Sequence, residues 1–239
     1  EYYFGPNEGN SVSVTYFEKD LEDFLQLDEF TRDVQVLIDD TDPDAGFEDI
    51  ESEIRFWTNA STRHIKGIEV SGYFNFGDFA PNFPFLKDFS FVPNYAKITG
   101  DQTNPIFDQN ELALGNIVQI GEQLTDSLTN QAEEIYNLQL FYEWQRLSVR
   151  LSYNYISELQ RSPSSAAIDT LEYDAEKENW DMSVQYRLFP SRDLRFFVEG
   201  DNLGNEPSDQ RFNGSDPNLY IRRYETIGAR YIAGIRGSF

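Results

Sequence analysis

Apolar and polar residues alternate along most of this chain with a period of two. From Ser11 to Phe17, Val12, Val14 and Tyr16 oppose Ser13, Thr15 and Phe17. From Lys66 to Phe76, Ile68, Val70, Phe74 and Phe76 oppose Glu69, Ser71, Tyr73 and Asn75. A period of two reads as strands with one apolar and one polar side. The clearest hairpin sets Tyr136, Leu138, Leu140, Tyr142 and Trp144 across the turn Glu143–Arg146 from Leu147, Val149, Leu151, Tyr153 and Tyr155. Trp180, Met182, Val184, Tyr186 and Leu188 mark another strand, and Leu194, Phe196 and Val198 begin the next. The final segment, Tyr224 to Phe239, puts Ile227, Ala229, Tyr231, Ala233, Ile235 and Phe239 on one face. Arg230, Gly234, Arg236 and Ser238 take the other, with Ile232 the one misfit. Tyr2–Phe4 reads as a strand tail. Phe89–Tyr95 is a further strand, in which Pro93 removes a ladder donor and predicts a bulge.

The connections alternate in length. They are short at 5–10, long at 26–60, medium at 77–87, long at 101–131, short at 143–146, long at 161–177, short at 189–193 and long at 204–219. The acidic stretch from about Asp28 to Asn59 is read as an irregular insert. Banded strands joined by short turns at one end and long loops at the other are the layout of outer-membrane barrels, with short turns facing the periplasm. A soluble sandwich has no reason to gather every long loop at one end. The expectation is a transmembrane antiparallel β-barrel portion of eight full strands plus the tail of one.

Composition narrows the picture. The chain of 239 residues is 39% hydrophobic and 15% aromatic, a content that argues against disorder. Its net charge of -23 excludes a nucleic-acid partner, which would need a basic patch. Cysteine is absent, so there is no disulfide framework or thiolate site. No apolar run reaches the ~20 residues of a membrane helix, which leaves barrels open. The opening Glu-Tyr-Tyr-Phe has no export signal around it, and the chain is expected to begin part-way through a longer protein.

Four segments then carry a resemblance. Lys66-Gly67-Ile68-Glu69 opens a strand after a long loop, and Leu151-Ser-Tyr-Asn-Tyr-Ile-Ser follows a hairpin. Glu199-Gly-Asp-Asn-Leu-Gly-Asn-Glu-Pro ends a strand, and Arg222-Arg223-Tyr224 through Phe239 closes the chain on an aromatic residue. In that order they resemble the C-terminal part of the barrel of a TonB-dependent outer-membrane receptor. Pro93 and the long turn after Phe76 depart from the family pattern. The resemblance implies an all-β, lumen-plugged barrel of the 22-stranded kind, whose plug domain and earlier strands lie outside this chain. It further implies active nutrient uptake energised by the TonB complex, insertion by the barrel-assembly machinery with Phe239 as the signal, and contact with membrane lipid.

Candidate sites fall in the first long connection. Asp40, Asp42, Asp44 and Glu51 match positions 1, 3, 5 and 12 of a calcium loop, although Gly46 sits one place late. The plain alternative is a solvated acidic loop. Phe47, Phe56 and Trp57 could stack on a sugar ring or siderophore, or simply pack the loop. Polar-face residues such as Glu69, Gln139, Arg150, Arg187, Glu199, Arg230 and Arg236 would line the lumen and pair with one another and the plug. His64, the single histidine, is read as an ordinary barrel residue. No nucleophile, phosphate loop or carboxylate pair stands out, so no enzyme is expected and no cofactor beyond calcium. The substrate class is a small molecule or oligosaccharide, with an oligosaccharide favoured over an anionic siderophore by the acidic loops. Two other readings stay open: a secreted calcium-dependent β-sandwich binding module, and a passive porin-like small barrel.

Overall fold

The structure, a computed structural model, describes residues 1–5, 9–37, 46–80, 82–125, 127–161, 172–189, 192–212 and 221–237. Fourteen strands form in chain order: β1 (Tyr2–Phe4), β2 (Asn10–Leu37), β3 (Phe47–Asn75), β4 (Phe89–Phe107), β5 (Gln119–Thr125), β6 (Glu134–Trp144), β7 (Leu147–Ile156), β8 (Leu159–Gln160), β9 (Glu172–Asp174), β10 (Lys177–Phe189), β11 (Arg192–Asp201), β12 (Ser208–Phe212), β13 (Ile221–Glu225) and β14 (Arg230–Gly237). Two short helices, α1 (Phe76–Phe79) and α2 (Gln109–Ala113), and a 3-10 turn at Leu86–Asp88 complete the elements. One sheet runs β1-β2-β3-β4-β6-β7-β10-β11-β14, antiparallel throughout, with β5 added beside β4. That path is the expected eight full strands and a three-residue tail.

The register sorts most apolar residues to one face and most polar residues to the other over the middle of the sheet. Val14–Val70, Phe74–Phe91, Leu140–Leu151, Val149–Val184 and Val184–Val198 are direct cross-strand pairs on one face. Asn137–Asn154, Gln139–Ser152 and Ser183–Glu199 are pairs on the other. Away from α1, whose Phe79 meets Phe4 at 6.1 Å and Phe74 at 6.4 Å, the apolar face is bare among the described residues: Val14 is 63% exposed, Tyr16 62% and Ile235 66%. A face this apolar and this bare is stable only against another apolar phase.

Aromatic rows bound that face at both ends. At one end Tyr95 stacks on Tyr136 at 4.7 Å, and Tyr136 meets Tyr155 at 5.4 Å. At the other, Phe89 and Tyr142 lie 4.6 Å apart, close to the chain of Phe4, Phe74 and Phe91. From Tyr136 to Trp144 is roughly 27 Å along the strand, or about 20 Å at a tilt of about 40°, the scale of an outer-membrane apolar band. Beyond the tyrosines the same face turns charged, with Lys97 paired to Glu134 at 3.3 Å. The tyrosine hydroxyls find acceptors there: Tyr136 donates to Glu134 at 3.1 Å.

Three expectations need correction. The stretch from Asp28 to Asn59 is no irregular insert: β2 and β3 stay paired out to Leu37–Phe47. Register shifts between Leu21 and Phe24 and between Phe24 and Gln26 hide this in the sequence. Each irregularity breaks the phase of the alternation, so one continuous period cannot be read across them. The bulge expected at Pro93 does not form. The β3–β4 register is the same at Ser71–Asn94 and Phe74–Phe91, and only the pairs between them, beside Pro93, drop out of that ladder. On its other side Pro93 keeps its place opposite Leu138. Finally, the last segment is two strands, not one. Coil with Gly228 at φ +78° separates β13 from β14.

The long connections are themselves folded. β5 returns along the outer half of β4. β8 and β9 come from one connection and β12 and β13 from the next, and together they form a second sheet in the order β13-β12-β9-β8. Phe107, Leu112, Leu128 and Ala132 are buried, so most of the buried apolar core lies in this loop region rather than on the main sheet. No helix among the described residues is long and apolar enough to cross a membrane.

Candidate functional site

The polar face is the first candidate surface, and cross-strand pairing builds it. On it, Arg230 binds Asp201 through Nε at 2.9 Å and Nη2 at 2.5 Å, and Asn179 donates to both oxygens of Asp181 at 2.9 Å. For two of the aromatic residues on this face, Phe17 and Phe197, there is a simple cause. Phe17 pairs with Gly67 and Phe197 with Gly234. A Cβ on Gly67 would come within 2.6 Å of the Phe17 ring, and one on Gly234 within 2.9 Å of Phe197. The rings lie across the space that a side chain would fill, the usual partnership of glycine and aromatic residues in curved sheets.

The loop end is the second. Gln102 is fully buried, and its Nε2 donates to Asn104 Oδ1. Its Oε1 accepts from Thr129 Oγ1 at 3.0 Å and from the Thr129 backbone N–H at 3.3 Å. Thr129 Oγ1 in turn accepts from Arg63 Nη2 at 2.6 Å. Burial lowers the Arg63 pKa to about 10. This network fastens the 125–131 connection to β3 and β4. The strands approach closely here: a Cβ on Gly100 would meet the His64 carbonyl oxygen at 2.1 Å. His64 lies beyond the tyrosine row, with Nδ1 2.6 Å from Asp20 and Nε2 3.2 Å from Glu18. The hydrogen bond with Asp20, aided by the negative charges of Asp20, Glu18 and Asp101, raises its pKa, and partial burial opposes this. A cleft of about 390 Å³ near the small sheet is lined by Glu158, Glu176, Glu206, Asp209 and Arg211. Burial raises the pKa of Glu158, while nearby Arg211 pulls it down.

The named candidates fare differently. Asp40, Asp42 and Asp44 lie outside the described residues, as does Phe239. Glu51 is placed on β3 opposite Asp33, and Phe47 opposite Leu37. Phe56 packs edge-on against Phe107 at 5.3 Å, which gives it a packing role. Trp57, next in sequence, is 69% exposed. Among the described residues no group of three or more His, Asp or Glu side chains is arranged to hold a metal ion. Sequence reasoning missed the Gln102–Thr129–Arg63 network, because its members are 27 and 66 residues apart and share no motif.

A family profile described as "TonB dependent receptor-like, beta-barrel" matches residues 2–203. The chain belongs to this family. No curated protein matches it. The sheet is therefore a transmembrane portion of the wall of a TonB-dependent receptor barrel, and the bare apolar face is its outer face. An unclosed sheet is what a portion of such a barrel presents. The family is one of outer-membrane receptors and transporters, with a plug domain and TonB as its general partners.

Proposed function

We propose that this chain forms part of the wall and loops of an active importer, energised by the TonB complex, that captures an oligosaccharide from the medium. The observation that supports the barrel reading best is the two-faced sheet. Leu138, Leu140, Leu151, Val184 and Val198 form one apolar surface that no second sheet covers among the described residues, while Asn137, Gln139, Ser152 and Ser183 share the opposite, polar face. A sandwich module would bury that surface between sheets, and the other sheet among the described residues consists of strands of two to five residues at the loop end. Eight full strands could close as a small porin, but the family's general partners include a plug, which fits a gated importer better.

For the substrate, the net charge of -23 repels anionic ferric siderophores, whereas exposed Trp57 offers a ring face to a neutral sugar. Calcium bound by Asp40, Asp42, Asp44 and Glu51 is part of the proposal, as is recognition of Phe239 by the barrel-assembly machinery. The deciding experiment is uptake by cells expressing the full receptor. A labelled oligosaccharide should accumulate only when TonB is present, and Trp57→Ala should weaken its binding about tenfold, the cost of one lost stacking contact. Uptake that ignores TonB overturns the active-transport reading, and unchanged binding by Trp57→Ala overturns the sugar platform. Isothermal calorimetry with Ca²⁺ tests the acidic stretch: no heat of binding removes calcium from the account.

A further inference from the structure

We infer that the plug docks carboxylate side chains onto a row of arginines at the periplasmic end of the lumenal wall. The inference rests on the receptor reading above, because only there does this face enclose a plug. The register sets Arg187 directly opposite Arg195, and Arg195 directly opposite Arg236. Three guanidinium-bearing residues thus stand side by side on β10, β11 and β14. Directly opposed residues have Cβ atoms about 5 Å apart, and like charges so placed destabilise a sheet. In a chain of net charge -23, such a row would be easy to neutralise from within. The wall hardly does so.

Asp193 alone answers it, accepting from Arg195 Nε at 2.7 Å. Arg236 lies over the Phe197 ring at 5.0 Å. Among the described residues, neither Arg187 nor Arg236 has a carboxylate within ion-pair distance. In the next row toward the loops, Ser148, Gln185, Phe197 and Gly234 are uncharged and the one carboxylate is Glu143 on β6, two strands from Arg187; Glu199 comes in the row after that. Two clefts open at the arginines. One, of about 250 Å³, is lined by Arg146, Arg187 and Arg195 together with Glu143. The other, of about 290 Å³, is lined by Arg195, Arg236 and Asp193. The short turns that close β6–β7 and β10–β11 lie at this end, which is the periplasmic one.

Uncompensated like charges persist in a sheet when something outside it offsets them. The planar fork of arginine pairs with a carboxylate through two parallel hydrogen bonds, geometry that lysine cannot match. A protein segment resident in the lumen supplies carboxylates permanently. A passing neutral sugar does not.

The test uses the full receptor in planar bilayers, with Arg187→Gln/Arg236→Gln, Arg236→Glu and Arg236→Lys variants. All should insert and show the heat-modifiable gel shift of the parent. The parent should stay closed, and the Gln double variant and Arg236→Glu should open about tenfold more often, the effect of one lost charge-assisted hydrogen bond. Arg236→Lys should fall between. Raising the salt to about 1 M should open the parent in the same way, a check that needs no variant to fold. Variants that insert and stay as closed as the parent, with no salt effect, overturn the inference. So does a closed pore with reduced substrate uptake, which would assign the row to cargo instead. A parent that fails to insert, or is open from the start, speaks against the receptor reading rather than against the arginine row.

Discussion

Thr129 is the residue on which the folded loop region depends most directly. Its hydroxyl donates to Gln102 and accepts from Arg63, and all three are buried. Replacing it with valine keeps the shape but leaves Arg63 and Gln102 each short of a partner atom. The expected cost is about 1–3 kcal/mol, confined to the 125–131 connection. Hydrogen exchange should show those amides losing protection while β6 and β7 keep theirs; uniform loss would place Thr129 in the global fold instead. His64 gives a second residue-scale prediction. Its pKa is raised, first by the hydrogen bond with Asp20. A raised pKa means the pairing stabilises the folded protein below the ordinary histidine value and is lost as pH rises through the folded one. NMR titration should find His64 above about 6.5, and Asp20→Asn should bring it down. Neither arrangement was legible in the sequence. In the sequence His64 is only a single histidine and an ordinary barrel residue, because its partners come from β2, 44 and 46 residues away.

Among the elements, the β6–β7 hairpin is where sequence and structure agree residue by residue. Its ladder pairs Ile135 with Ile156 through Trp144 with Leu147 without a shift. A simple alternation, a two-residue turn and no bulge make one register the only one that sorts both faces. Leu140→Arg should therefore cost about 2–4 kcal/mol near the middle of the lipid band, whereas Gln139→Arg on the lumenal face should cost little. Urea unfolding from lipid vesicles measures both; equal costs would mean that the faces are wrongly assigned. The β2–β3 hairpin shows the opposite case. It is the longest pairing among the described residues, yet its outer half reads as an insert in the sequence, since irregular register around Phe24 breaks the phase. Periodicity detects a strand only while the period holds.

At the scale of the molecule, the sheet has one apolar and one polar face, and among the described residues the buried apolar core sits mostly in the loops. Stability then depends on the membrane around it. Expressed full receptor should need detergent for solubility and run faster on gels unless boiled. Full solubility without detergent would contradict a wall with so much bare apolar surface. Deleting Phe239 should lower insertion far more than it lowers binding by the receptor that does insert, which surface labelling alongside ligand binding would separate. Unchanged insertion would make Phe239 an ordinary strand end.

What the sequence determined by itself was the transverse order: which residues take the apolar face, which take the polar face, and which end holds the long loops. Those follow from local chemistry, because a strand repeats every two residues and a turn is short or long wherever it occurs. Only the tertiary structure decided what stands beside what along the third direction. Register brought Arg187, Arg195 and Arg236 into one row from separations of 8 and 41 residues, and it folded the long connections into a second sheet. Neighbours across a sheet are set by hydrogen-bond alignment between distant segments, and no spacing within one segment records it.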